Sequence, residues 1–370
     1  MKIALVGPAH PYKGGGARHT TELARRLAAA GHDTILVSWR AQYPRRLYPG
    51  QQTVDVPEGA PYPRTRRLLA WYRPDGWLAT GGRLRTADLV VFALLTPLQV
   101  PAYLTIMAGL GRGAGQHGPR TAVICHNVLP HERRPGDVPL TRALLRRAGT
   151  VITHSAAQAA QARDLAPGAK VLTVTMPPHL PAAGQEDHGA ERARFPASAD
   201  CRLLFFGIVR PYKGLDVLLR ALAGAPSHLT LTVAGEFWGG TTETEKLIAE
   251  LGLAGRVTLR PGYLPADQIP GLFAAADALV MPYREATASQ NALLAFAHGV
   301  PVITTTAGAL AEAVRDGVDG LTCAPDDVAD LRRALIEISD PRMARRLRAG
   351  IPAVDPDSGW PAYLQVLLAR

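Results

Sequence analysis

The sequence predicts an α/β protein of two consecutive domains, each a parallel sheet with helices on both faces. Three observations predict it. Short apolar runs alternate with helical patterns along the chain. That alternation stops at residues 177–200, "PPHLPAAGQEDHGAERARFPASAD", which are rich in Pro, Ala and charge and lack periodicity, and it then restarts. The tetrapeptide "PYKG" occurs at residues 11–14 and again at 211–214, each time after an apolar run and before a helical pattern.

The elements follow in order. In the first half "KIALVG", "DTILVSW", "DLVVFALL", "RTAVICHN" and "GTVITHS" read as strands, with "ARHTTELARRLAAAG" and "TRALLRRAG" as helices between them. Residues 89–110 are apolar and long enough to span a bilayer. Pro97 and Pro101 interrupt them, so they read as a buried strand, a proline turn and a helix. In the second half "CRLLFFG", "LTLTVAG", "RVTLRPG", "DALVMPY", "GVPVITTT" and "GLTCAP" read as strands. The expected domains are two Rossmann-like units, residues 1–180 and 195–355. In each, "PYKG" sits in the loop after the first strand, at the carboxyl edge where such sheets bind ligands. The ligand site is expected in a cleft between the domains.

Composition narrows the function. Hydrophobic residues make up 47% of the 370 and charged ones 19%, enough to bury real cores. The three cysteines are far apart and form no CxxC, which points to a reducing, cytoplasmic setting with neither a disulfide framework nor a zinc site. No signal peptide is read at the N-terminus. Residues 1–180 hold 23 Lys+Arg against 9 Asp+Glu, and residues 181–370 hold 18 against 22. A basic first half suits an anionic partner, such as a phosphate-bearing substrate or a membrane surface; an Arg-rich compositional habit explains it equally. The acidic second half and 6% aromatics speak against nucleic acid.

Four stretches carry candidate chemistry. In "GPAHPYKGGGARH", Gly15 and Gly16 let backbone approach a ligand just before a helix start. The dinucleotide fingerprint needs an acid about 20 residues on. "TILVSWR" ends in Trp39-Arg40 instead, so a nicotinamide cofactor is disfavoured. In "FFGIVRPYKGLD", Arg210 and Lys213 flank a tight turn at a helix start, as a diphosphate requires; a solvated surface pair is the alternative. In "MPYREATASQNALLAFAHG", Thr287, Ser289, Gln290 and Asn291 precede an apolar helix, with Thr287 or Ser289 as a plain N-cap or the helix's N-terminal amides as phosphate contacts. In "RTAVICHNVLPHE", His126 stands at a strand tip, where it contacts a reacting group or serves the fold, with His131 five residues on. No DxD or cluster of His, Asp and Glu suggests a metal.

With these residues in place, the chain resembles the GT-B glycosyltransferases of family four, a large retaining family. "LLFFGIVRPYKGLDVLLRALA", "VTLRPGYLPADQIPGLFAAADALVMPY" and "AFAHGVPVITTTAGALAEAVRDGVDGLTCAPDDVADL" carry the resemblance, supported by "GGGARHTTELARRLAAAGHDTILVSW" and "CHNVLPHE". It implies a nucleotide-diphosphate sugar (UDP- or GDP-sugar) as donor on the second domain and an acceptor on the first. It also implies a C-terminal helix, residues 358–370, packing back on the first domain, and no metal or other cofactor. By position Gly15 and Gly16 match the glycines near the donor phosphate and sugar, His126 the histidine near the transferred sugar, and Lys213 the lysine on the diphosphate. The family's arginine position holds Ile208, with Arg210 as the available substitute. The two acids of the family's E-x7-E motif fall on Ala286 and Leu294, so Ser289, Gln290 and Asn291 become the candidate sugar and phosphate contacts.

The reading is a retaining hexosyltransferase. The alternatives are a GT-B sugar-nucleotide epimerase and a catalytically silent nucleotide- or polyanion-binding protein. Residues 63–85 place six arginines around Leu68, Leu69, Trp71, Tyr72 and Trp77. That is the composition of a surface resting in lipid headgroups, which implies peripheral contact with the inner face of a membrane and a lipid-linked acceptor. If the aromatics instead pack on the domain, a soluble acceptor follows.

Overall fold

The structure, a computed structural model, describes residues 1–44, 51–54, 61–111, 118–180, 200–286 and 290–369. The chain divides into two units, Met1–His179 with Asp357–Arg370, and Leu180–Pro356.

Among the described residues the first unit holds seven parallel strands: β1 (Lys2–Val6), β2 (Asp33–Ala41), β3 (Thr65–Ala70), β4 (Leu89–Leu94), β5 (Arg120–Cys125), β6 (Thr150–Thr153) and β7 (Val171–Thr173). Their order is β3-β2-β1-β4-β5-β6-β7. The second unit holds six: β8 (Cys201–Phe206), β9 (Leu229–Gly235), β10 (Val257–Pro261), β11 (Ala278–Met281), β12 (Val302–Thr305) and β13 (Gly320–Cys323), in the order β10-β9-β8-β11-β12-β13. All β8–β13 pairings are parallel too.

Central strands are covered on both faces, so β4 is buried at every position and reads as an unbroken apolar run. Residues 89–110 become β4, a 3-10 turn at Pro97–Gln99 and a helix at Val100–Gly109. Among the described residues no helix is long and apolar enough to cross a membrane. The strands the sequence did not reveal are the two at the edges of the first sheet. β3 exposes Arg66 and Arg67, and β7 has only three residues. Residues 63–85, read above as one basic and aromatic segment, therefore form two elements, β3 and the helix Pro74–Arg83.

The apolar side chains of each face make their own cluster. Ala4, Val6, Phe92 and Tyr103 lie in one, and Ile3, Leu5, Leu23, Leu27 and Ile124 in the other. The second cluster also takes Trp360, Tyr363 and Leu367 from the C-terminal helix Trp360–Leu368. Arg120 Nη1 donates to the Ala369 carbonyl at 2.8 Å and fastens that helix's end.

Strand order reverses in the first sheet between β1 and β4, and in the second between β8 and β11. These are the topological switch points, where diverging loops leave an opening at the carboxyl edge. The two "PYKG" loops both lie there. The correspondence extends beyond the tetrapeptide. β1 ends at Val6 and the next helix starts at Gly15, whereas β8 ends at Phe206 and the next helix starts at Leu215. In both, the glycine of "PYKG" caps the helix with positive φ, 94° at Gly14 and 66° at Gly214.

Candidate functional site

In the second unit the switch point brings together the loops after β8 and β11. The first folds as a 3-10 turn, Pro211–Lys213, closed by Gly214. A Cβ on Gly214 would stand 2.0 Å from the Pro282 carbonyl oxygen, so only glycine lets the turn lie against the loop after β11. This contact holds Lys213 in place. Its side chain is only 9% exposed, with Nζ 5.0 Å from the centre of the Tyr283 ring. Burial pushes its pKa below the ordinary lysine value, Tyr212 opposes this and Arg210 adds to it; among the described residues no carboxylate offsets it.

Asn291 lies in the helix Gln290–Ala297 and donates from Nδ2 to the Phe206 carbonyl at 3.0 Å and to the Tyr283 hydroxyl at 3.4 Å. Lys213 Nζ and Asn291 Nδ2 crowd one spot: a Cβ added to Gly207 would stand 3.3 Å from each. Arg210 spreads its guanidinium over Trp238, 4.6 Å from the ring centre. Gln290 opens the helix that carries Asn291, and Thr287 and Ser289 lie outside the described residues. Leu294 is buried and Ala286 packs on the same apolar cluster, so neither position presents a polar group.

In the first unit Gly16 meets the loop after β4. A Cβ there would stand 2.1 Å from Leu95 Cδ2, whereas one on Gly15 would meet nothing within 4 Å. His126 follows β5, its amide donating to the Leu94 carbonyl at 3.0 Å. Among the described residues its buried Nε2 has no hydrogen-bond partner. Burial, with His154 and His179 nearby, drives its pKa well below the usual imidazole range, so the ring is neutral at pH 7.

His126 is one of four histidines gathered there, a grouping the sequence reading missed. His19 lies 4.9 Å from it, ring centre to ring centre, and His154 5.7 Å. His19 Nδ1 is 2.6 Å from His179 Nε2, and His19 Nε2 is 3.0 Å from the Tyr363 hydroxyl. Among the described residues no group of three or more His, Cys, Asp or Glu has metal-binding geometry. His154 carried the same signal as His126, a strand-tip position. His19 was hidden in a helical pattern and His179 in the segment taken as linker.

Comparison with known proteins agrees with this frame. Residues 200–340 match the family described as Glycosyl transferases group 1, and residues 13–175 match Glycosyltransferase Family 4. A glycogen synthase of Mycobacterium tuberculosis is 30% identical over all of this chain and 95% of its own length. D-inositol 3-phosphate glycosyltransferase 1 of Catenulispora acidiphila is 28% identical over 99% and 92%. Among solved structures, sucrose-phosphate synthase from Thermosynechococcus elongatus superposes with a TM-score of 0.75 at 20% identity, and Anabaena HepE in complex with UDP with 0.74 at 18%, each over the whole of both chains. Two parallel sheets with paired switch-point loops and these two family matches lead to one conclusion: the chain belongs to the glycosyl transferases group 1 and is a glycosyltransferase of the GT-B fold.

Proposed function

We propose that this enzyme moves a hexose from a UDP- or GDP-sugar to an acceptor hydroxyl with retention of configuration, using no cofactor beyond its donor. The observation that carries the reading is Lys213. A buried ammonium without a carboxylate partner is costly to hold, and a diphosphate seated there would offset that cost. Arg210 adds donors for the same phosphates, and Asn291, bonded to the Phe206 carbonyl and the Tyr283 hydroxyl, holds the spot beside Lys213 polar.

The C1–oxygen bond to the diphosphate breaks and its electron pair leaves with the phosphate oxygen. The acceptor oxygen forms the new C1 bond on the same face, and its proton passes to that phosphate oxygen. The developing sugar cation resembles an oxocarbenium ion. Lys213, Arg210 and the amides opening the helix Gln290–Ala297 stabilise the departing charge. Neutral His126 offers a hydrogen bond, not a charge, to the transferred sugar. Gly15 leaves room for the donor at the first unit's helix start.

A panel of UDP-, GDP- and TDP-sugars with EDTA present tests the reading. Sugar transfer that survives EDTA supports it. Epimer formation assigns the epimerase alternative, and binding without turnover the silent one. A ligand at 100 times its Kd should stabilise the fold by about 2.7 kcal/mol, which makes thermal shift a practical first screen.

A second observation bears on the acceptor. Trp71, Tyr72 and Leu78 are 44%, 53% and 53% exposed, and Arg66, Arg67 and Arg83 of the same segment are exposed too. Trp77 instead donates to the Ala70 carbonyl at 2.8 Å and packs on the core. Solvent-facing aromatics among arginines support a peripheral site at the inner membrane face and a lipid-linked acceptor.

A further inference from the structure

We infer that Arg284 is a positioning residue for the donor diphosphate, locking the turn that carries Arg210 and Lys213; this rests on the donor reading above. Arg284 follows β11 by three residues and reaches three places at once. Nη1 donates to the Pro211 carbonyl at 2.7 Å and to Asp216 Oδ1 at 2.8 Å, and Nη2 to Asp216 Oδ2 at 2.9 Å. Its backbone amide donates to the Tyr212 carbonyl at 2.7 Å. Nε donates to Asp326 Oδ1 at 2.9 Å. One side chain thus ties the loop after β8, the first turn of the helix Leu215–Ala223 and the loop after β13 to the strand end of β11.

Two features separate this from an ordinary surface pair. First, among the described residues Asp326 is the one non-glycine residue with positive φ, 60°. Aspartate tolerates this left-handed turn conformation, and here the turn presents its carboxylate to Arg284. Second, four of the five guanidinium N–H groups are committed to two carboxylates and one carbonyl, which leaves no pair for a bidentate contact elsewhere, and Arg220 shares Asp216 at 2.6 Å. Arg284 therefore has no fork left for a phosphate and acts through the turn it holds. The turn has only two internal amide bonds, Lys213 to Arg210 and Gly214 to Pro211. Without the Arg284 side chain the Pro211 carbonyl loses its guanidinium donor and Asp216 its bidentate partner, so the turn that carries Lys213 and Arg210 is held only by its own two bonds and the backbone amide of residue 284. A lysine at 284 keeps the charge but not the fork.

The test uses the full chain with UDP and inorganic pyrophosphate as probes, in Arg284→Met, Arg284→Lys, Asp216→Asn and Asp326→Gly. Binding is measured by calorimetry. Placement of the turn is read without ligand, as the rate of amine acetylation at Lys213 by mass spectrometry, with Lys246 as internal reference. The expected result is at least a tenfold loss of pyrophosphate and UDP affinity in Arg284→Met, a smaller loss in Arg284→Lys, and at least fivefold faster acetylation of Lys213 with Lys246 unchanged. If Arg284→Met fails to fold, Arg284→Lys and Asp216→Asn decide by the same readouts. A parent that binds both probes, with variants within twofold in affinity and acetylation, overturns the clamp and leaves the donor reading standing. A parent that binds neither probe overturns both.

Discussion

His19 Nδ1 lies 2.6 Å from His179 Nε2, with both rings buried, and His19 Nε2 meets the Tyr363 hydroxyl at 3.0 Å. This pair joins the first unit's leading helix to the residue where the chain leaves that unit and to the helix formed after it returns. Three of the cluster's imidazoles are held neutral. Burial lowers His19 and His126 well below 6.5 and His154 to about 4. Tyr363 and Cys125, whose pKa values burial raises, are neutral too, and the charged groups facing the cluster include Arg18, on the His179 carbonyl, and Arg26, over Trp360 and paired with Glu22 and Asp357.

The first prediction concerns pH. These histidines have folded pKa values below their unfolded ones, so the unfolded state takes up protons first as pH falls. Stability is full above about pH 6.5 and is lost from there toward about pH 4. His154 alone should cost on the order of 2 kcal/mol by pH 5. Thermal unfolding at pH 7.5 and 5.0 measures this, and His154→Gln should flatten the slope. A stability unchanged between the two pH values would refute it.

Lys213→Met should act in opposite directions on stability and binding. It removes a buried charge that lacks a carboxylate, so the ligand-free protein should melt higher. UDP affinity should fall by roughly 1.5–3 kcal/mol, the cost of a charge-assisted contact. Arg210→Ala should weaken UDP without the gain in melting temperature, because its guanidinium lies on Trp238. Undiminished UDP affinity in both variants removes them from the site.

Gly15→Ala and Gly16→Ala should separate. At Gly16 the new methyl meets Leu95 at 2.1 Å, and such overpacking costs about 1–3 kcal/mol. At Gly15 nothing stands within 4 Å, and alanine gains roughly 0.5–1 kcal/mol in a helix. A Gly15→Ala protein that is stable yet binds donor poorly would mean that the ligand itself needs the space. Equal melting temperatures for the two variants would contradict the packing argument.

His126→Ala should lower kcat more than it weakens donor binding, by tenfold or more, which is about 1.4 kcal/mol. His131→Ala is the comparison and should matter less. A kcat within threefold of the parent in His126→Ala would assign that ring to the histidine cluster alone.

Vesicles test the exposed aromatic corner. Co-sedimentation with phosphatidylglycerol at low salt should be lost on Trp71→Ser with Tyr72→Ser, and weakened by high salt or by Arg66→Ser with Arg67→Ser. Each arginine is worth about 1 kcal/mol at an anionic surface. Arg64 is the wrong choice for this test, since it is bonded to Asp33. No sedimentation at low salt, or sedimentation indifferent to all four changes, would reject a lipid contact here.

The sequence alone determined the two-sheet architecture, because strands buried on both faces must be apolar throughout and alternation with helices forces parallel order. It also determined the loops of the site, since a first strand followed by glycine and cations marks a carboxyl-edge turn. The first sheet's edge strands escaped it: β3 is half water-facing, so Arg66 and Arg67 look like a charged surface and not like a ladder. Tertiary structure alone decided which side chains meet. His19, His126, His154 and His179 lie far apart in the chain and converge only because a helix, two strand tips and a crossing segment pack together. Arg284 gave no signal either, since a lone arginine after a strand reads as solvated. Its role depends on Asp216, Pro211 and Asp326, which only the strand order brings within reach of one guanidinium.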